Sequence, residues 1–217
     1  MNLKEMISIH KIPHSMRTCV TLWLSIYAIS YYKNNHKNPN HFNSKIISNI
    51  HALVGITLAV ISIYFNDESE FSEMQVLAWC TGYFMADLLD CIVRKDTIFL
   101  LHAVVGFSLL GSCSMSPFYE VRAASRGYFV ELSNFFYNHW KTTKTRGDFR
   151  NFLLCFFFCR IVYTPIFLMR LNANGDVTGN KFAVIASIAF YAMNFIWFCK
   201  GTQMYFNYDE TNKHKKN

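Results

Sequence analysis

The chain has 217 residues, of which 52% are hydrophobic, 17% are aromatic and only 16% are charged, whereas an average soluble domain carries about 25% charged residues. The formal net charge of +7 comes mostly from lysines and arginines between apolar segments, a pattern typical of membrane topology. No basic patch interleaved with aromatic residues occurs, so a nucleic-acid-binding protein is not expected.

The chain starts with a charged stretch that includes Pro13, so no cleavable signal peptide is expected. Seven apolar segments follow, and most reach about 20 residues, the length that a helix needs to cross a bilayer. The sequence therefore predicts an all-α, polytopic membrane bundle. The first segment is short and rich in tyrosine, which leaves open a tilted, re-entrant or interfacial helix. The segments are 18–32, 46–65, 74–93, 97–116, 118–138, 150–171 and 182–205.

The charges of the loops predict the orientation of the bundle. Loop 33–45, the Arg94–Lys95 turn, loop 141–150 and the C-terminal tail are basic, whereas 66–73 is acidic. Cytosolic loops hold an excess of lysine and arginine, so the basic loops and the C-terminus are predicted to be cytosolic. The same alternation of loop charges predicts a non-cytosolic N-terminus, which conflicts with the basic residues near that terminus. The conflict disappears if the first segment does not span the membrane.

The seven cysteines lie singly within apolar segments, without a CxxC pair or histidine companions. Zinc sites need such clusters of ligands, and disulfide frameworks are typical of small secreted domains. The cysteines are therefore interpreted as small buried hydrophobic residues, and neither a metal nor a cofactor is expected.

Five of the apolar segments each place one ionisable residue in the predicted cytosolic half of the bilayer. Such groups are costly within a membrane and usually face a bundle interior or a water-filled cavity. Glu131, Asn134 and Asn138 stand at i, i+3 and i+7, so on a helix they form one polar stripe. The five ionisable residues are His51, Asp87, His102, Glu131 and Arg160.

A structural interpretation of polar residues in these segments stays open. A single intramembrane histidine can act as a hydrogen-bonding strut, Asp87 can neutralise Arg160, and asparagines can join helices. Asp90 and Arg94 stand at i and i+4, which predicts a local salt bridge. Small residues such as Gly55 predict close packing of helices.

Several motifs occur in an order and spacing similar to those of the TLC-domain family. They are HALVG, GYFMADLLD, FLLHAVVGF, VELSNFFYN and FFFCRIVYTP, and the most specific are ELSxxFxN and the following RxxxxP. The resemblance covers about residues 46–205. The family includes ceramide synthases, TRAM translocon-associated proteins and small TLC-domain-containing proteins of lipid homeostasis, and this chain resembles the last branch most.

The chain departs from the ceramide synthases at two motifs. Those enzymes carry a double histidine on the fourth segment, where this chain has Leu101 and His102. They carry HDxxD on the next segment, where this chain has Val130, Glu131 and Asn134 at the histidine and the two aspartates. The missing histidine is the residue expected to accept the acyl group, so ceramide synthesis by that mechanism is not expected.

The resemblance implies six core transmembrane helices around a central cavity, with the first segment as an accessory helix. The implied domains are an N-terminal segment over 1–45, a TLC-like transmembrane domain over 46–205 and a basic cytosolic tail over 206–217. The residues expected to line the cavity are His51, Asp87, His102, Glu131, Asn138 and Arg160.

The leading functional hypothesis is a multi-pass protein of the endoplasmic reticulum membrane that binds lipid or acyl chains and affects membrane lipid composition. The tail resembles the KxKxx retrieval signal, with Lys213 and Lys215 at the matching positions. The expected partners are membrane lipids, either sphingoid lipids or phospholipids. A homodimer is left open. A TRAM-like structural or chaperone role is one alternative.

The enzymatic alternative is transfer of an acyl group from acyl-CoA, as substrate, to an amine or hydroxyl of a lipid. His102 would act as general base, Glu131 as its orienting partner and Arg160 as the stabiliser of negative charge. A basic loop could hold the phosphates of the donor by charge. Its four basic residues are Lys141, Lys144, Arg146 and Arg150.

We predict that loop 141–150 faces the cytosol. In a cysteine-free variant, the Lys144→Cys substitution should react with a membrane-impermeant maleimide in sealed microsomes, because a lumenal thiol would be protected. The matched control is Glu68→Cys in the acidic loop, which should react only after the membrane is permeabilised. Protection of position 144 in sealed vesicles would reverse the predicted orientation.

Overall fold

The structure is a computed structural model that describes residues 14–33, 46–64, 71–114, 118–173 and 181–208. Within these ranges every regular element is helical, which confirms the all-α class. The helices are α1 (His14–Lys33), α2 (Ser48–Tyr64), α3 (Phe71–Arg94), α4 (Thr97–Cys113), α5 (Ala123–Gly127), α6 (Leu132–Thr143), α7 (Arg146–Phe156), α8 (Tyr163–Ala173) and α9 (Lys181–Phe206). A 3₁₀ turn (Tyr128–Glu131) joins α5 to α6, and a π-helical segment (Phe157–Val162) joins α7 to α8.

Three helical stretches of the described chain are long and apolar enough to cross a membrane: Glu73–Arg94, Arg146–Leu171 and Lys181–Phe206. Helices α2 and α4 are apolar but shorter. Large apolar side chains point outward, such as Ile185 at 67% exposure and Ile188 at 64%, as lipid-facing residues would. These features support a membrane protein, while the six-helix core and the central cavity stay predictions.

Helix α3 organises one side of the bundle, because it packs against α1, α2 and α4. Helix α4 also packs against α9, and α9 packs against α7 and the π segment. Helix α6 packs against both α7 and α2. Helix α2 therefore contacts both α3 and α6. The short α5 touches α2, α3, α4 and α8 at one end of the bundle.

The first apolar segment forms a continuous helix of 20 residues, α1, which is about 30 Å long. Its Trp23 is completely buried, with ring centroids 4.7 Å from Trp79 and 5.2 Å from Tyr83. At Gly82 of α3, a Cβ atom would lie 2.7 Å from the backbone carbon of Cys19. The absence of a side chain at that position lets α1 lie directly against α3.

The fifth apolar segment differs from its predicted span of 118–138, because helix begins at Ala123 and continues to Thr143. Arg122 has a φ of 54°, which is incompatible with helix at that residue. The Glu73 carboxylate accepts hydrogen bonds from the backbone amides of Ala124, at 2.9 Å, and Ser125, at 3.3 Å. The last residue of the predicted acidic loop is therefore a buried cap that fixes the start of α5.

The sixth apolar segment is helical from Arg146 to Ala173, beyond its predicted span of 150–171. In the π segment the amide of Tyr163 bonds to the carbonyl of Phe158, five residues earlier. Pro165 follows within the same run. Because proline has no amide hydrogen, the carbonyl of Ile161 loses its regular α-helical donor, which favours irregular winding here.

We predict that Gly55→Ala destabilises the protein, because an added Cβ would lie 2.1 Å from Cζ of the buried Tyr128 ring. Overpacking of this kind costs about 1–3 kcal/mol, so the midpoint of thermal unfolding in detergent should fall. The matched control is Gly111→Ala, since a Cβ at that helical position meets nothing within 4 Å. Equal midpoints for the two variants would contradict the close packing at Gly55.

Candidate functional site

The two irregular helical segments contact each other inside the bundle. Glu131 is the last residue of the 3₁₀ turn, and Arg160 lies in the π segment. At 1.5 Å per residue, both lie roughly 20 Å along their helical runs from the Lys144 turn that joins α6 to α7. Glu131 therefore lies farther from the end of its helical run than the predicted segment end at 138 implies, because α6 continues to Thr143. Irregular turns of this kind are frequent at functional sites.

The side chain of Arg160 is 2% exposed and is held by polar groups of two other helical runs. Its Nε donates to the backbone oxygen of Val130 at 3.1 Å and to Oγ of Ser133 at 2.9 Å. Its Nη1 donates to Oδ1 of Asn194 on α9 at 3.1 Å. The arginine thus joins the α5–α6 and α7–α8 runs to α9.

Glu131 is the buried counter-ion of Arg160. Its Oε1 lies 3.5 Å from Nη2 of Arg160, which also donates to Oδ1 of Asn134 at 3.1 Å. The Nδ2 of Asn134 donates to the other carboxylate oxygen, Oε2. The same Oε2 lies 4.0 Å from Nδ1 of His51. Two buried charges are stable together in apolar surroundings when each is also hydrogen-bonded, as here.

His51 lies between this carboxylate and a tyrosine hydroxyl. The imidazole is completely buried and stacks on Tyr83, with ring centroids 3.7 Å apart. Its Nε2 is 2.9 Å from Oη of Tyr128, and its backbone oxygen accepts from Nε1 of Trp79 at 3.0 Å. The hydroxyl, the imidazole and the carboxylate therefore lie in that order, and the 4.0 Å separation leaves Nδ1 without a hydrogen bond to Oε2.

His102 contacts aromatic rings and not Glu131, although the sequence paired these two residues. Its ring contacts the aromatic rings of Trp197, at 5.1 Å between centroids, and Phe84, at 6.1 Å. Within the described chain no hydrogen bond or ion pair joins it to Glu131, and its buried Nδ1 has no hydrogen-bond partner there. The reason is that α4 packs against α3 and α9, whereas α2 packs against the 3₁₀ turn and presents His51 instead.

The carboxylates near the end of α3 bind α1 and do not neutralise Arg160. Asp87 accepts a hydrogen bond from Oη of Tyr27 at 3.3 Å. Asp90 accepts from Nε of Arg94 at 2.7 Å, as the i, i+4 spacing predicted, and from the hydroxyl of Tyr31. Asp87 thus faces the first helix, and its place in a central cavity stays a prediction.

Asn138, the remaining predicted cavity residue, joins two helices. Its side chain is 3% exposed and donates from Nδ2 to Oδ1 of Asn49 at 2.7 Å and to Oγ of Ser48 at 3.4 Å. These contacts connect α6 to the start of α2. They match the structural interpretation that asparagine joins neighbouring membrane helices.

The four basic residues assigned to donor phosphates surround the turn between α6 and α7. Three of them place their charge 4.7–4.9 Å from the centre of an aromatic ring, a favourable cation–π contact. The pairs are Lys141 with Tyr137, Lys144 with Trp140 and Arg146 with Tyr205. Arg150 is exposed, so the cluster presents positive charge at the bundle end predicted to be cytosolic.

Sequence reasoning missed three residues that contact Arg160 or His51. Asn194 could have been found, because it is an isolated amide in the apolar stretch AFYAMNFIWF. Ser133 gave no comparable signal, since small hydroxyl residues are frequent in membrane helices. Tyr128 likewise resembled the many tyrosines of this chain, and only its contact with His51 identifies it.

A cavity of about 330 Å³ in the described structure lies away from the charged pair, between the start of α5 and α8. None of the six residues expected to line a central cavity borders it. The charged pair is instead enclosed by packed side chains. A central lipid cavity therefore stays a prediction.

Comparison with known proteins supports the resemblance seen in the sequence. The TLC domain model matches residues 41–202. A curated relative, TLC domain-containing protein 4 A of Dictyostelium discoideum, is 24% identical over 195 residues, which cover 76% of this chain and 75% of the relative. No solved structure matches the chain. The match extends over most of the chain and includes Glu131 and Arg160, and the chain belongs to the TLC domain family.

Proposed function

We propose that this protein is a multi-pass protein of the endoplasmic reticulum membrane that binds a lipid or an acyl chain and thereby affects membrane lipid composition. The observation that carries the proposal is the Glu131–Arg160 pair enclosed among apolar helices. Ionisable residues within membrane segments are costly and commonly mark functional sites. The location in the reticulum is part of this proposal, and the tail at 213–217 lies outside the described residues.

Unmet hydrogen-bonding capacity near the pair supports a polar ligand. Nδ1 of His51 is buried without a hydrogen-bond partner in the described chain. Arg160 has five N–H donors, and its Nη1, which carries two of them, contacts Asn194. Buried polar groups are almost always paired, so the head group of a lipid could satisfy these atoms while its chains lie among the aromatic side chains.

We expect Glu131→Gln to abolish the change in lipid composition that expression of the wild type produces. Glutamine keeps the shape of the side chain but removes the counter-ion of Arg160 and the acceptor next to His51. The measurement is quantitative lipidomics of cells that express each variant at a matched level.

The matched control is Glu73→Gln, which alters a buried carboxylate outside the charged pair. It should preserve the lipid change if the protein accumulates normally. A lipid change that survives Glu131→Gln would reject a role for the charged pair and favour a scaffolding role, as in TRAM proteins.

A second candidate function is acyl transfer, and the Tyr128–His51–Glu131 arrangement favours it specifically. In this proposal His51 takes the proton of the attacking amine or hydroxyl while Glu131 orients the imidazole. The new acyl–nitrogen or acyl–oxygen bond replaces the thioester bond of acyl-CoA, and the proton passes to the departing thiolate. Arg160 would stabilise the negative charge of the intermediate. The basic cluster around the α6–α7 turn would hold the donor phosphates.

We expect His51→Asn to lower acyl transfer by about 100-fold or more, the usual loss when a general base is removed. His102→Asn should retain most of the activity, because His102 has no polar contact with Glu131 within the described chain. The assay uses purified protein in nanodiscs, labelled acyl-CoA, and a sphingoid base or lysophospholipid as acceptor.

The opposite ranking of the two variants would make His102 the base. Absence of turnover by the wild type on either acceptor, together with retained lipid binding, would reject the transfer of acyl groups to these acceptors and leave the binding function.

A further inference from the structure

The cavity between α5 and α8 has the dimensions of a ligand site, separate from the charged pair. Its volume of about 330 Å³ lies at the lower end of the range for small-molecule pockets. It is bordered by residues just before and within α5 and by one face of α8 from Tyr163 to Leu171. Both stretches lie at the end of the bundle that is opposite the α6–α7 turn.

Two arginines give this cavity its charge. Arg126 and Arg170 both border it, and within the described residues neither guanidinium has an ion pair or a side-chain hydrogen bond. Glu120 is the one acidic residue of the wall, so the lining carries a net charge of +1. A phosphodiester carries a single negative charge and offers oxygens that match the fork of a guanidinium.

The walls of the cavity are fixed by contacts between the two elements. Oη of Tyr163 donates to the backbone oxygen of Arg126 at 2.8 Å. The Tyr163 ring stacks on Phe167, with centroids 5.9 Å apart and planes 3° apart. The hydrogen bond, together with the packing of Phe167 on the cluster that contains Ala123, holds α5 against α8. Both arginines therefore lie on a wall that is formed before a ligand enters.

The rim of the cavity continues into an apolar surface. On α8, Ile166 is 41% exposed and Met169 is 63% exposed. Ile166 also borders the cavity, whereas Arg170 lies one turn nearer to the end of the helix. The surface thus changes from apolar to cationic along the helix axis, which matches the change from acyl chains to head groups at a membrane interface.

We propose that this cavity binds the phosphate group of a membrane phospholipid, held between Arg126 and Arg170. An acyl chain would lie along Ile166 and Met169. Inorganic phosphate shares the same chemistry but has no group for the apolar rim. The proposal does not depend on the function assigned to Glu131.

The test measures the thermal unfolding of the full-length protein in detergent with three probes. Dioctanoyl phosphatidylglycerol supplies phosphate and chains, dioctanoylglycerol supplies chains alone, and inorganic phosphate supplies the anion alone. We expect only the first to raise the unfolding midpoint. Arg126→Ala and Arg170→Ala should each weaken its apparent binding by about tenfold, the effect of losing one charge-assisted hydrogen bond.

Two variants serve as controls for charge and for the other site. Lys181→Ala removes an exposed positive charge from the start of α9, at the same end of the bundle, and should bind the probe normally. Glu131→Gln should also bind normally, so failure of this proposal is distinguishable from failure of the proposed function. If an alanine variant is unstable without ligand, Arg126→Lys and Arg170→Lys replace it, and they should retain part of the binding.

Three results would overturn the proposal. Equal stabilisation by dioctanoylglycerol would show that the phosphate is irrelevant. Equal stabilisation by inorganic phosphate would make the free anion the ligand and remove the lipid. Unchanged binding by both arginine variants would place the phospholipid elsewhere on the protein.

Discussion

The buried pair of Arg160 and Glu131 is the constraint on which the centre of the bundle depends. Removing one member of such a pair typically costs about 3–5 kcal/mol, since the other charge is left uncompensated. The arginine also bonds to Val130 and Ser133 next to its counter-ion and to Asn194 on α9. One side chain therefore fixes the relative positions of three helical runs, and both partners lie in helix that departs from regular α geometry.

Carboxylates of α3 likewise fix the positions of the neighbouring helices α5 and α1 by hydrogen bonds. Near its start, Glu73 accepts bonds from the amides that begin α5. Near its end, Asp87 and Asp90 accept bonds from tyrosines of α1. Apolar packing between membrane helices is weakly directional, so these few polar contacts determine which faces meet. The buried Trp23 then completes the contact of α1 with the bundle.

The two candidate sites lie on one helical run. Arg160 stands in the π segment, and Tyr163, which follows that segment directly, bonds to the backbone of Arg126 beside the cavity between α5 and α8. One site combines an imidazole, a carboxylate and a hydroxyl, which suits proton transfer or a polar head group. The other combines two guanidiniums with an apolar rim, which suits an anionic group attached to an acyl chain. Both chemistries fit the proposed binding of lipids.

Much of this organisation follows from the sequence alone. The lengths of the apolar segments determine an all-helical membrane protein, the i, i+4 spacing determines the Asp90–Arg94 salt bridge, and the ELSxxFxN and RxxxxP motifs identify the family. Only the tertiary structure decides that Glu131 meets His51 and not His102, and that Glu73 leaves the predicted loop to cap α5. Helical periodicity shows which residues share a face of one helix. It does not fix the rotation of that helix against its neighbours, and that rotation selects the partner of each buried charge.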